Sequence, residues 1–293
     1  VEPEGLHEFL VHRPRLFALA YRMLGSAGEA EDAVQEAYLR WSGTERDTIR
    51  SAEAWLTTTV VNLCRTWLVS ARARREVYVG PWLPEPVPTA GGELGPLESA
   101  EEREQISLAL LTTLERLNPV ERAVFVLREG FGYAHREIAD MLDLSEANSQ
   151  QTYRRASQRV REGKARFEVS ADQSRELIER FMKAARTGDL DQLKAMLAAD
   201  VTATADGGGT VTAARRPVVG AEHVARYLLG LFRWEVPGME ITLEEVNGGP
   251  AVVARVGRDP LVVIGIETSA HAVTALRLIV NPEKLAYFGR ATR

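Results

Sequence analysis

Between Gly80 and Pro96 the chain carries Pro81, Pro84, Pro86, Pro88 and Pro96, with Gly91-Gly92-Glu93 among them. Proline locks φ and donates no N–H, so neither a helix interior nor a central strand tolerates this density. The stretch is expected to be extended, with polyproline II character. It reads as a linker within the 293 residues.

The parts differ in texture. From Leu6 to Arg75, apolar residues recur at helical spacing: Leu16, Leu19, Ala20, Met23 and Leu24, a break at Gly25-Ser26-Ala27-Gly28, then Ala30, Ala33, Val34, Ala37, Tyr38 and Trp41. A third helix follows over Ala54 to Val69, with Trp55, Leu56, Val60, Leu63 and Trp67 on one side. Leu97 to Phe167 is helical again. Beyond Arg175, a helical opening (Leu177 to Leu197) leads into β-branched runs at Val211-Thr212, 240–243, 251–254, 261–264 and 271–280, with hairpin signals at Gly248-Gly249-Pro250 and Gly257 to Pro260. This pattern predicts an α+β domain with an antiparallel sheet.

Composition removes several classes. The chain is 45% hydrophobic and 26% charged, as globular proteins are. Cys64 is the one cysteine, which excludes a disulfide scaffold. His7, His12, His135, His223 and His271 are scattered without metal-ligand spacing, so neither a metal nor a cofactor is expected. No apolar run reaches membrane-spanning length, and Val1 to Arg15 lacks the features of a secretory signal. The expected location is the cytoplasm.

The net charge is −5, which argues against nucleic acid, but its distribution argues for it. Arg65 to Arg75 holds four arginines and no acid, and Ser149 to Phe167 holds Arg154, Arg155, Arg159, Arg161, Lys164 and Arg166 against Glu162. Basic stripes on helices are the footprint of phosphate contact, although a solvated helix face has the same pattern. The second stripe follows a helix-turn-helix signal. Asn118-Pro119 caps and opens a helix, Gly130 and Gly132 end it, a short amphipathic helix covers 133–142 with Ile138, Ala139 and Leu142 inward, and Asp143-Leu144-Ser145 turns into a helix reaching Arg161. Asn148, Ser149, Gln150, Gln151, Arg154 and Arg155 at its start are of the types that bond base edges and phosphates.

Several of these residues resemble a known family. Glu29-Ala30-Glu31-Asp32-Ala33-Val34-Gln35-Glu36-Ala37-Tyr38-Leu39-Arg40-Trp41 is similar to region 2.2 of extracytoplasmic-function sigma factors. Trp55 through Asn62-Leu63-Cys64-Arg65 to Arg75 resembles regions 2.3 and 2.4, and Leu117 through Arg161 resembles region 4. Trp82-Leu83-Pro84-Glu85-Pro86, Asp206-Gly207-Gly208-Gly209-Thr210 and Asn281-Pro282-Glu283-Lys284-Leu285 resemble signatures of the group with a fused SnoaL-like domain. Thr210 stands where that group often has a basic residue.

The resemblance implies a multidomain chain. Two all-α domains, region 2 over 1–77 and region 4 over 101–168, would flank a Pro-rich linker over 78–100. A cone-shaped α+β domain of the SnoaL/NTF2 type would occupy 173–293. It also implies core RNA polymerase and promoter DNA as partners, with no membrane. Asp32, Gln35, Glu36 and Arg40 would meet the polymerase. Asn62, Arg65, Arg72, Arg74 and Arg75 would hold the −10 element. Asn148, Ser149, Gln150, Gln151, Arg154 and Arg155 would read the −35 element, with Arg159 and Arg161 on the backbone. Trp82, Leu83, Pro84, Asp206, Gly207, Gly208, Gly209, Asn281, Pro282, Lys284 and Leu285 would make regulatory contacts in cis. No catalytic residue is implied, and Gly207-Gly208-Gly209 lacks the lysine of a phosphate loop.

The SnoaL-like fold forms a pocket in other proteins, so a small-molecule ligand is a further implied partner. Asp206, His223, Tyr227 and His271 are its polar candidates for chemistry. Two other functions remain open from the residues: a stand-alone ligand-sensing helix-turn-helix regulator, and an enzyme fused to a DNA-binding module.

Overall fold

The computed structural model describes residues 5–45, 49–91, 103–162, 171–233 and 236–292. They fall into two compact units, Val1–Val77 with Thr89–Lys164 and Tyr78–Pro88 with Ala165–Arg293.

The first unit is helical. α1 (Leu6–Leu24) ends at Gly25, whose φ of 68° lets its N–H return to the Tyr21 carbonyl. Ser26 caps α2 (Ala27–Ser42) by accepting from the Glu29 N–H, and Ser51 caps α3 (Ala52–Glu76) in the same way. α2 buries Ala27, Ala30, Ala33, Val34, Ala37 and Trp41, and its small residues let α1 approach closely. Cys64 lies in this core, where burial pushes its thiol pKa up and leaves it an inert apolar group. α4 (Leu108–Leu114) precedes α5 (Pro119–Phe125), which opens with a complete Asn118/Glu121 capping box and continues as a π turn over Val126–Gly130. α6 (His135–Leu142) closes on Asp143 in the left-handed conformation (φ 55°), and α7 (Glu146–Glu162) follows. Ala139, Ile138 and Leu142 of α6 are buried, as are Ala156 and Val160 of α7. The helix-turn-helix therefore forms where the sequence places it.

In the second unit, α8 (Ala171–Thr187) and α9 (Leu190–Ala195) are separated at Gly188. The strands are β1 (Leu197–Asp206), β2 (Val218–Val219), β3 (Met239–Val246), β4 (Gly249–Val256), β5 (Asp259–Thr268) and β6 (Val273–Ile279). α10 (Ala221–Phe232) lies between β2 and β3, and α11 (Pro282–Ala291) follows β6. The sheet order is β2-β1-β6-β5-β4-β3. Both hairpin turns form, the first with positive φ at Asn247 and Gly248 and the second at Gly257.

Three expectations are corrected. The sheet is mixed rather than antiparallel, because β1 pairs with β6 in parallel. Val211-Thr212 lies in the loop after Gly207 and not in a strand. The end of the helical opening, at Leu197, is already β1.

Ile178 and Phe181 of α8, Leu193 of α9 and Val224 and Leu228 of α10 pack with Val201, Ala203, Val252, Ile264, Leu276 and Leu278 on one face of the sheet. Val253 and Val263 alternate with Val252 and Ile264 and so face the other side. On that side α11 lies against β5.

Candidate nucleic-acid and polymerase interfaces

The buried Ala-rich stripe of α2 leaves an opposite face turned to solvent. Asp32, Gln35 and Arg40 are exposed and Glu36 is half-buried, with Arg40 Nε donating to Glu36 Oε1 at 2.9 Å. Leu39, on the same face, is 58% exposed. Position 39 falls off the buried stripe of the helical period, and no motif marks it.

On α3, Asn62 is exposed and accepts from Arg65 Nη1 at 3.1 Å. Trp55 sits against Trp41, ring centroids 5.4 Å apart, and Trp67 is half-buried. The side chains of Arg72 and Arg74 lie outside the described residues, as do Lys164 and Arg166. Arg75 departs from expectation. It donates to the Leu24 carbonyl at 2.8 Å and pairs with Glu115, an acid that no motif marks. Glu115 also takes Arg122 at 2.5 Å, whose guanidinium donates to the Arg22 carbonyl from both Nε and Nη2 at 3.2 Å. Arg122 is 1% exposed, and burial lowers its pKa to about 9. It remains protonated at neutral pH and joins α5 to the end of α1. Tyr133 adds a second link, accepting from Arg15 at 3.2 Å within 3.4 Å of Thr57 Oγ1.

α7 presents Asn148, Gln150, Gln151, Arg154 and Arg155 to solvent, and Arg161 near its end. Ser149 is the exception among the expected base readers. It is fully buried, with Oγ 3.1 Å from His135 Nδ1, so it turns toward α6 and away from any groove. The helical period decides this: 149, 152, 156 and 160 share the inward stripe. Arg159 pairs with Glu121 of the α5 capping box rather than standing free for phosphate. His135 has its pKa lowered, by burial first and then by Arg128 and Arg154, against the opposing effect of Glu146.

The second unit gathers the remaining candidates around Asp206, at the end of β1 and wholly buried. Its Oδ2 accepts from the Leu83 N–H at 2.7 Å and from Lys284 Nζ at 2.6 Å. Its Oδ1 accepts from the Tyr78 hydroxyl at 2.5 Å and the Gly208 N–H at 3.2 Å. Lys284 also donates to the Leu83 carbonyl, and its ammonium lies 4.0 Å from the Trp82 ring centroid and 5.1 Å from that of Tyr78. Asn281 caps α11 by accepting from the Glu283 N–H and donates from Nδ2 to Tyr78 at 3.0 Å. Pro282 occupies the first turn of α11, and Leu285 and Pro84 are buried. The glycines are required by close approach. A Cβ on Gly207 would lie 2.4 Å from the Val211 carbonyl oxygen, and one on Gly208 would lie 2.3 Å from Asn281 Nδ2. Gly209 has a φ of 76°, with Val79 beside it.

A second clasp holds the far end of the same segment. Val87 N–H donates to Asn247 Oδ1 at 3.0 Å, and the Asn247 N–H returns to the Val87 carbonyl at 2.9 Å. Tyr78 and Asn247 were not among the candidates, and neither carries a motif that would have marked it. Burial and the bond to Asp206 raise the Tyr78 pKa, so its hydroxyl stays protonated as a donor.

The candidates for chemistry are engaged separately. Asp206 is committed to this network, His223 lies 3.1 Å from the Val219 carbonyl, Tyr227 is half-buried, and His271 is exposed. A groove of about 420 Å³ opens between α8 and the β3–β4 edge, walled by Met182, Ile241, Leu243 and Val252 with Lys183 and Arg186 at its rim. Among the described residues no group of acids, histidines and cysteines could hold a metal, and no helix is long and apolar enough to cross a membrane.

A helical unit with separate polar faces on α2, α3 and α7, and an α+β unit that clasps a proline-rich strap, define a promoter-recognition subunit with an appended domain. Comparison with known proteins agrees. Residues 9–74 match the model for Sigma-70 region 2, residues 107–160 that for Sigma-70 region 4, and residues 178–275 that for the SnoaL-like domain. The chain is 40% identical over 292 residues to the ECF RNA polymerase sigma factor SigJ of Mycobacterium tuberculosis, covering 94% of this chain and 92% of that protein. The probable ECF RNA polymerase sigma factor SigI of the same organism is 32% identical over 276 residues, with the same coverage. The crystal structure of M. tuberculosis SigJ superposes with a TM-score of 0.74 at 33% identity, over 97% of this chain and 98% of that one. The chain belongs to the extracytoplasmic-function sigma factors, in the group with a fused C-terminal SnoaL-like domain.

Proposed function

We propose that this chain binds core RNA polymerase, directs promoter-specific initiation, and is regulated in cis by its C-terminal domain. The solvent-facing side of α2 (Asp32, Gln35, Glu36, Arg40) is the polymerase contact, now with Leu39 added as an apolar anchor. Asn62 and Arg65 of α3 take the −10 element, where opened bases are captured by pockets and stacking. Arg72 and Arg74 neutralise its phosphates. Asn148, Gln150, Gln151, Arg154 and Arg155 of α7 read the −35 element from the major groove. Arg75 joins the phosphate contacts only after it leaves Glu115 and Leu24, so promoter binding requires the α3–α4 contact to open. Duplex opening draws on binding energy, and the polymerase performs the chemistry.

The observation that carries the regulatory part is the burial of the Asp206–Lys284 pair against the backbone of Leu83. While the clasp holds, residues 78–88 belong to the C-terminal unit. Release would free this segment, about 34 Å of chain at roughly 3.1 Å per extended residue, to serve as tether between the two readers. A small molecule in the groove beside α8 shifts this balance if it binds one arrangement better than the other.

Run-off transcription with core polymerase tests the reading. Specific transcripts should depend on the added protein and increase when Asp206 is replaced by Ala. Absence of core binding in a pull-down refutes the first part, and an Asp206→Ala variant with unaltered output refutes the second.

A further inference from the structure

α6 and α7 pack on each other, α6 burying Ile138, Ala139 and Leu142 and α7 burying Ala156 and Val160, side chains that make no directional bond. Such contacts attract without direction and leave a helix free to settle at slightly different rotations about its axis. The Arg159–Glu121 pair ties the far end of α7 to α5, and two directional contacts fix the end that carries the base-reading side chains. Ser149 Oγ lies 3.1 Å from His135 Nδ1, and one turn on, the Tyr153 hydroxyl donates to Glu129 Oε1 at 2.5 Å. The His135 and Tyr153 rings are 5.4 Å apart at 60°, and Tyr153 stacks on Phe125 at 6.5 Å. α7 is thus pinned at two successive turns to two different elements, the first turn of α6 and the π turn after α5.

The pinned residues alternate with those facing outward. Asn148, Gln150 and Gln151 flank Ser149, and Arg154 and Arg155 follow Tyr153. With side-chain tips at roughly 6 Å from the helix axis, a 20° rotation moves each by about 2 Å, enough to lose a bidentate base contact. We propose that His135 and Tyr153 are positioning residues for upstream-element recognition, fixing the rotation of α7 through Ser149 and Glu129 and so selecting the bases its exposed side chains meet. The proposal rests on the reading of α7 as the −35 reader. It explains why a serine lies buried within a run of base-reading residue types.

The test uses full-length protein with core RNA polymerase on a promoter library randomised at both elements, with transcripts sequenced. Wild-type enrichment defines the preferred −35 sequence. His135→Phe and Ser149→Ala should each lower the preference for that sequence by about tenfold or more while pooled transcription and melting temperature stay near wild type. The double variant should be no worse than either single one, since both remove the same bond. His135→Asn, whose amide places a hydrogen-bonding atom where Nδ1 sits, should recover the preference, and Tyr153→Phe should broaden it. An unchanged preference in His135→Phe and Ser149→Ala overturns the proposal. So does a loss of transcription uniform across all sequences that tracks a fall in melting temperature, which a merely structural role produces. A wild-type protein that binds core polymerase yet selects no −35 sequence overturns the reading of α7 itself.

Discussion

Replacing Lys284 by Met should free the proline-rich strap before it harms the rest of the C-terminal unit. The lysine is 8% exposed and its partner Asp206 is wholly buried. Methionine fills similar volume but leaves the carboxylate with only the Tyr78 hydroxyl and the Leu83 and Gly208 N–H groups. Breaking one side of a buried ion pair costs about 3–5 kcal/mol, because the remaining charge stays desolvated. That amount corresponds to exchange faster by about two to three and a half decades wherever the clasp gates opening. The reporters are the Leu83 and Val87 amides, donors to Asp206 and Asn247 respectively, followed by hydrogen exchange in the full-length protein. Tyr78→Phe removes one hydrogen bond to a charged acceptor and should give a smaller effect, about 1.5–3 kcal/mol. Unchanged Leu83 protection in Lys284→Met refutes the argument. A drop in melting temperature without faster exchange at Leu83 also refutes it, since the pair would then hold the domain and not the strap.

Other consequences are accessible to standard assays. Arg154→Ala or Arg155→Ala should cost about 1–3 kcal/mol of −35 discrimination if the side chain meets a base, whereas equal weakening on every sequence, read by salt-dependent binding, marks a phosphate contact. Asp32→Ala with Gln35→Ala should weaken capture of core polymerase with no change in melting temperature, because both side chains are exposed; equal affinity rules the face out. The lowered His135 pKa makes stability pH-dependent. The unfolded chain binds this proton more readily, so stability is fully present above about pH 6.5 and declines as pH falls through the folded value. Denaturant midpoints between pH 7.5 and 5 should slope more steeply for the wild type than for His135→Asn, and parallel slopes contradict the assignment.

The α2 stripe, the Asn118/Pro119 start of α5, the turn at Asp143 and the hairpins at 248 and 257 were all legible, because each is written in residues close together in the chain. Period 3.6 marks a buried face, caps and glycines mark ends, and arginine stripes mark a candidate surface. The same local rules put Ser149 on the wrong side. Residue type named it a base reader, while the phase of α7 turned it inward. Arg75 differs: its chemistry suits phosphate, but in the folded chain it is held by Glu115, 40 residues on, and nothing local announces that partner.

What the amino-acid order determined by itself was the set of helices and most strands, and the resemblance to a family. What only the tertiary structure decided was pairing: β1 in parallel with β6, Tyr78 and Asn247 as clasp residues, and Asp206 joined to Leu83 across 123 residues and to Lys284 across 78. The physical reason is range. Backbone conformation responds to near neighbours, whereas a buried charge is tolerated only where folding brings an opposite charge and enough donors to it, and those come from anywhere in the chain.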